Sequence, residues 1–189
     1  MNNKTALDYL YQQEKKNQRS PLFVDKNTNI IFGEGNPDAC LMFVGEAPGK
    51  NEDIQGRPFV GRAGKLLDKA LAECNTKRTD VYITNIVKTR PTDNRTPTEQ
   101  EISRSWPVLE QQIKIIKPLV ICTLGACATV AFLKHPISIT KIHGMALPFN
   151  DTIIIPTFHP AYILRDPRKY KDFLSDLQFV VQTIKNIIK

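Results

Sequence analysis

The feature that most limits the fold is a series of short apolar runs separated by helical patterns. Cys40 to Gly45 (CLMFVG) is apolar without interruption, and Val81 to Val87 (VYITNIV) is strongly β-forming. Leu119 to Leu124 (LVICTL) and Thr152 to Pro156 (TIIIP) are two more apolar strands. A strand with one wet face alternates polar and apolar residues; three central strands here do not, so both of their faces are covered. Helical periodicity fills the gaps. Leu66, Leu67, Ala70 and Leu71 share a face within residues 59–75, and Thr98 with Glu101 has capping-box spacing ahead of Ile102, Leu109, Ile113 and Ile116. Ala126 to Leu133 and Asp172 to Ile188 read as further helices, as do Tyr162 to Leu164 and residues 1 to about 19. A strand at Ile30 to Gly33, a loop from Glu46 to Arg57 and a β-rich stretch at Ile137 to Ile142 complete the reading. The alternation predicts an α/β fold, a three-layer α/β/α sandwich around a mostly parallel four-stranded sheet. At 189 residues, one domain spanning 1–189 is expected.

Lys and Arg total 26 against 19 Asp and Glu, a net charge of +7. That surplus permits a polyanionic partner, but a generic basic surface explains it equally well. Cys40, Cys74, Cys122 and Cys127 form no C-x-x-C pair, which speaks for reduced cysteines and against a disulfide framework or a zinc site. The polar N-terminus lacks a signal-like apolar core, and no run approaches the ~18 apolar residues of a membrane span. An intracellular protein, cytoplasmic if prokaryotic, without membrane association is expected.

Parallel sheets gather ligands at the carboxyl ends of their strands. The loops after Val44, Ile86 and Ile155 lie there. The first, GEAPGKNEDIQGRPFVGRAG from Gly45 to Gly64, carries Glu46, Glu52 and Phe59, and contains no G-x-x-x-x-G-K-[ST] phosphate loop. The second begins at Asn85, whose amide offers two donors and one acceptor, a match for a nucleobase edge. The third holds Phe158-His159-Pro160, where a histidine can act as acid, base or donor to a developing oxyanion. Taken singly, each has a commoner structural use: a turn, a strand-end cap, a satisfied histidine. His135 and His143 have no comparable context.

Taken together the loops are more specific. The first resembles motif A of family 4 uracil-DNA glycosylases, GE-x-PG-x-x-ED-x-x-G-x-PFVG-x-AG, nearly residue for residue. TNIVK at Thr84 to Lys88 resembles the strand that presents their uracil-reading Asn. FHPAYILR at Phe158 to Arg165 resembles their motif B, and FGEGNPDA from Phe32 and SITKIHG from Ser138 are also similar. The likeness runs from about Ile30 to Phe173.

The resemblance implies a uracil-DNA glycosylase fold and an enzyme that flips deoxyuridine out of DNA and hydrolyses its glycosidic bond, starting base-excision repair. It assigns Phe59 to stacking on uracil, Asn85 to reading its edge, and His159 to donating to O2. Glu46 and Ala47 would line base and sugar, and Glu52 would sit near C5, where it helps to exclude a thymine methyl. Leu164 and Arg165 would enter the duplex, and Arg62, Lys88 and Arg90 would contact phosphates. Lys50, Arg57, Lys65, Arg95, Arg168, Lys169 and Lys171 are expected to flank the same groove. Related families carry an Asp in motif A that acts on the attacking water; Ala47 stands there in this chain, leaving Glu46 or a backbone-held water for that task. No Lys is placed for a Schiff base, so a monofunctional enzyme is expected. No Arg-rich insertion of the kind found in covalent-trapping relatives is present.

The chain departs from the family at its iron–sulfur ligands. Asn17, Ser20, Thr89 and Ser105 stand where most members have cysteines, and none supplies a thiolate. No cluster, and no other cofactor or metal, is expected. A monomer acting on uracil-containing DNA is the reading. A catalytically inactive DNA-binding or replication-accessory protein on the same fold stays open, as does an enzyme for another deaminated base.

Overall fold

The structure, a computed structural model of the chain, describes residues 1–16 and 29–189. An N-terminal helix, α1 (Asn3–Lys16), precedes a six-stranded sheet. The strands are β1 (Glu34–Gly35), β2 (Leu41–Gly45), β3 (Tyr82–Asn85), β4 (Val120–Leu124), β5 (Leu147–Phe149) and β6 (Thr152–Thr157), in spatial order β1-β3-β2-β4-β6-β5. The four central strands are mutually parallel, whereas β1 and β5 add antiparallel edges. The α/β class and the parallel four-stranded centre agree with expectation; the sheet itself is mixed and two strands wider. The edges escaped notice because two- and three-residue strands carry too little pattern, and Pro148 reads as a turn although an edge strand tolerates it.

The helices are α2 (Lys50–Gln55), α3 (Arg62–Glu73), α4 (Glu99–Ile116), α5 (Ala126–Leu133), α6 (Ile139–Ile142), α7 (Pro160–Arg165) and α8 (Tyr170–Ile188). They cover both faces of the sheet. Met42, Val44, Tyr82 and Ile121 pack one way with α1, α4 and α5; Leu41, Phe43, Ile83 and Cys122 pack the other way with α3 and α8. Successive strand residues point to opposite faces, which is why these strands are apolar throughout. The capping box opens α4 as its spacing predicts: Thr98 accepts from the Glu101 amide, and the Glu101 carboxylate accepts from the Thr98 amide at 2.8 Å.

Three local expectations change. Ile30 to Gly33 is not a strand: pairing begins at Glu34, between Gly33 and Gly35, whose φ angles of 139° and 125° suit glycine alone. The expected loop from Glu46 contains α2, a helix too short and polar to show a buried face, closed by Gly56 in the left-handed region. Within the expected β-rich stretch at 137–142, Ile139–Ile142 folds as α6, where tertiary context overrides propensity. Among the described residues, no helix is long and apolar enough to cross a membrane.

Gly64, in the first turn of α3, is a tight steric constraint. A Cβ there would overlap the Phe59 carbonyl, so backbone must approach backbone at this point. Gly64→Ala is expected to cost about 1–3 kcal/mol by overpacking. Urea unfolding of the variant beside the wild type measures it.

Candidate active site

The loops after β2, β3 and β6 converge because the parallel strands all end on the same side. Gly45 pairs with Asn85 at the ends of β2 and β3, and the ladder continues as Ile86 and Val87 donate to the Gly45 and Glu46 carbonyls at 2.9 and 3.1 Å. Above this ledge opens a cavity of about 520 Å³. Glu46, Ala47, Glu52, Phe59, Asn85 and His159 all line it, as does Arg165. Arg62, Arg90 and Leu164 lie outside its lining. Arg62 is exposed at the start of α3, and Leu164 is partly exposed on α7.

Asn85 is the least ordinary of these residues. It is 1% exposed, and its Oδ1 is buried with no hydrogen-bond partner among the described residues. A native fold leaves few such acceptors unpaired, because each costs about 1–3 kcal/mol. Asn85 lines the cavity, so the unpaired acceptor belongs to a residue at its wall.

Phe59 is held beside it under strain. Its φ of 50° is unusual for a bulky residue, and such outliers persist where surroundings enforce them. Glu52 supplies the enforcement. Its Oε1 accepts from the amides of Val60 and Gly61 at 2.9 and 2.7 Å, closing the turn that presents Phe59. Gly45 leaves room for the result: a Cβ there would strike both the Phe59 ring and Asn85 Oδ1. The Phe59 ring also lies 5.8 Å from the His159 ring, tilted by 35°.

His159 caps α7. Its Nδ1 accepts from the Ala161 amide at 3.1 Å, so in the neutral ring the proton sits on Nε2. Burial is the main force pushing its pKa down to about 4; the Arg165 charge adds to this and Glu52 opposes it. The ring is therefore a neutral Nε2–H donor at physiological pH. Behind it, Thr157 donates to Asp176 at 2.6 Å, His143 Nδ1 bonds the same carboxylate at 2.9 Å, and the His143 ring lies 4.5 Å from Phe158. His143 has no context in the linear sequence, and only the fold shows it bracing the residues before His159.

Burial raises the Glu46 pKa, opposed by a hydrogen bond from Cys127. The Cys127 thiol is pushed up to about 12, first by burial and then by the Glu46 charge, so it stays protonated as a donor.

The expected phosphate contacts need one correction. Lys88 is fully buried and points inward, which removes it from any DNA-facing set. A lysine next to a polar loop reads as solvated; only the fold shows acceptors waiting inside. Arg90 donates to Asn94 at 2.8 Å. Arg57, Arg95, Arg168 and Lys169 are engaged with Glu34, Glu101, Asp166 and Asp172, in mostly exposed pairs that are weak and exchangeable. Sequence reasoning missed Asn94 and Thr96, which line the cavity from the loop after β3; Asp93 and Asn94 there both have positive φ.

Of the four positions where the resemblance implies cluster cysteines, Asn17 and Ser20 lie outside the described residues. Thr89 and Ser105 are buried close together, the Lys88 amide donating to Ser105 Oγ at 3.4 Å. These hydroxyls are not thiolates and do not fit an iron–sulfur group. Among the described residues, no group of three or more His, Cys, Asp or Glu could hold a metal.

A buried amide edge, an aromatic face and a neutral N–H donor around one cavity suit a flat ring with its own N–H and carbonyl groups. The fold and site thus define an α/β protein with a cavity of polar and aromatic groups at the carboxyl edge of its parallel strands. Sequence comparison supplies the family: the chain belongs to the uracil DNA glycosylase superfamily, whose family model matches residues 32–182. It is 46% identical over 162 residues to a type-4 uracil-DNA glycosylase of Thermotoga maritima, covering 85% of this chain and 84% of that protein. A type-4 uracil-DNA glycosylase of Saccharolobus solfataricus is 40% identical, covering 95% and 87%. A DNA polymerase of Bacillus phage SP01 is 34% identical over 86% of this chain but only 18% of its own length.

The His159 environment predicts a pH effect on stability. Its folded pKa of about 4 lies below the ordinary histidine value of 6.5, so between those values the unfolded chain binds more protons. Stability is then complete above pH 6.5 and declines as pH falls toward 4. His159→Gln should show less of this decline. Urea unfolding of both proteins at several pH values within the window checks it.

Proposed function

We propose that the cavity receives a uracil base extruded from DNA, with Asn85 reading its edge. The chain is a uracil-DNA glycosylase. The observation that carries the residue-level reading is the unpaired Asn85 Oδ1. Uracil offers N3–H to that oxygen and O4 to the amide N–H. Cytosine presents an acceptor at N3 and an amine at C4, so both contacts reverse and buried polar groups are left unpaired. Phe59 stacks on the ring, and extrusion of the base costs a few kcal/mol.

His159 Nε2–H donates to O2. When the C1′–N1 bond breaks, its electron pair leaves with uracil, and the charge spreads onto O2 at that donor. A neutral imidazole suits this role because it donates without giving up its proton. Water adds to C1′, its proton passing to Glu46 or to solvent, and the uracil anion is protonated on release. The products are free uracil and an abasic site, with which base-excision repair begins. Burial makes Glu46 a stronger base than an exposed glutamate. No lysine lines the cavity among the described residues, which supports hydrolysis without strand cleavage.

Glu52 lines the cavity, where it stands near C5, and it has a second task as well. Its Oε1 holds the Val60 and Gly61 amides, and through them it sets Phe59. Arg62, Arg90 and Arg165 contact phosphates, and Leu164 enters the duplex where the base leaves. Binding is accordingly salt-dependent. The enzyme works as a monomer and without an iron–sulfur cluster, a reading supported by the hydroxyls of Thr89 and Ser105, which offer no thiolate.

An oligonucleotide with a single uracil, assayed by alkaline cleavage after incubation, tests the proposal. The wild type releases the base, and His159→Ala loses about 10²–10³ of the rate. The purified protein is colourless. Salt-dependent DNA binding without base release from any uracil substrate would favour the accessory-protein reading, and iron–sulfur absorption in the visible range would overturn the cofactor assignment.

A further inference from the structure

Lys88 is buried to 0% exposure, yet no part of the proposed chemistry uses it. Its Nζ donates to Thr84 Oγ1 at 2.6 Å, to Gln112 Oε1 at 2.6 Å and to the Asn85 backbone carbonyl at 2.9 Å. The first two partners are themselves fixed. Thr84 spends its hydroxyl proton on the Phe32 carbonyl at 2.8 Å. Gln112 Nε2 donates to that same carbonyl at 2.8 Å and meets the Tyr82 hydroxyl at 3.2 Å, which settles which end of its amide faces Lys88.

Three acceptors therefore converge on one nitrogen. An ammonium has three N–H groups and satisfies all of them; a neutral amine has two and would turn a lone pair toward the third. Burial pulls the Lys88 pKa well down, while three acceptors placed around Nζ suit the protonated form, since hydrogen bonds to a charged group favour it. The arrangement also has a direction. Thr84 and Tyr82 face the α4 side of the sheet with Lys88, while the Asn85 side chain faces the cavity. Lys88 holds the strand end from behind, through the carbonyl of Asn85, whose side-chain oxygen has no partner among the described residues.

We propose that Lys88 is a positioning residue, whose ammonium fixes the Asn85 backbone and so aims the amide that discriminates uracil from cytosine. This rests on the reading of Asn85 given above. Through Thr84 Oγ1 the ammonium is itself held to β3 and Phe32, so the Asn85 carbonyl cannot turn away without breaking a buried hydrogen bond.

The test compares Lys88→Met, Gln112→Leu and Asn85→Ala for KM, kcat, inhibition by free uracil, and the ratio of uracil to cytosine release, with thermal unfolding alongside. Lys88→Met is expected to weaken free-uracil inhibition and raise KM about ten- to a hundredfold, the usual effect of displacing a reactive arrangement by a fraction of an ångström to 1 Å. Its uracil-to-cytosine ratio should fall. Gln112→Leu breaks the same network without touching Asn85, and should lower the unfolding temperature while keeping the ratio. Lys88→Gln, which retains a donor, should recover part of the loss.

A folded Lys88→Met with wild-type inhibition and ratio would overturn the proposal while leaving the Asn85 reading intact. Equal loss of the ratio in Gln112→Leu would overturn it too, by making the network a general support. If neither Lys88→Met nor Lys88→Gln folds, Lys88 is a folding residue and the proposal fails. Asn85→Ala with undiminished selectivity would instead sink the reading on which the proposal stands.

Discussion

A buried carbonyl oxygen without a partner among the described residues, Asn85 Oδ1, is the constraint around which the rest of this site is arranged. A buried acceptor that no protein group pairs is uncommon, because leaving it unsatisfied costs about 1–3 kcal/mol. The sheet makes the position possible. Asn85 ends a parallel strand paired with β2, so its backbone is secured at the carboxyl edge where loops open outward. The same edge carries Gly45, which must lack a side chain for Phe59 and Asn85 to share the space.

Phe59 depends on a second set of restraints. A positive φ at a phenylalanine does not hold itself; the Glu52 carboxylate closes the following turn, and Gly64 lets α3 begin directly against the Phe59 carbonyl. His159 depends on a third. Its Nδ1 caps α7, which fixes the tautomer, while burial and Arg165 keep the ring neutral. The imidazole is thus held oriented and in its donating form, as the proposed role at O2 requires.

The sequence conveyed the parallel centre of the sheet and the loops that meet there, because doubly covered strands and Gly/Pro-rich motifs leave local marks. Glu46, Phe59, Asn85 and His159 could all be named from their loops, and all four line the cavity. What was hidden depends on who meets whom across the fold. The spacing of Glu52 does not reveal that it takes the Val60 and Gly61 amides. Lys88 looks like a solvated lysine until Thr84, Gln112 and the Asn85 carbonyl close around it. His143 gains a purpose only once α8 brings Asp176 beside it. The edge strands and α2 were hidden for a simpler reason: elements of two to six residues are too short to show a period.

The central claim is that Asn85 is left unpaired for the base. A crystal structure of the protein with abasic-site DNA and free uracil tests it most directly. The predicted result places uracil N3 about 2.9 Å from Asn85 Oδ1, with the ring against Phe59 and O2 facing His159 Nε2. Uracil bound elsewhere, or an Asn85 amide satisfied by the protein while the cavity holds the base, would contradict the account.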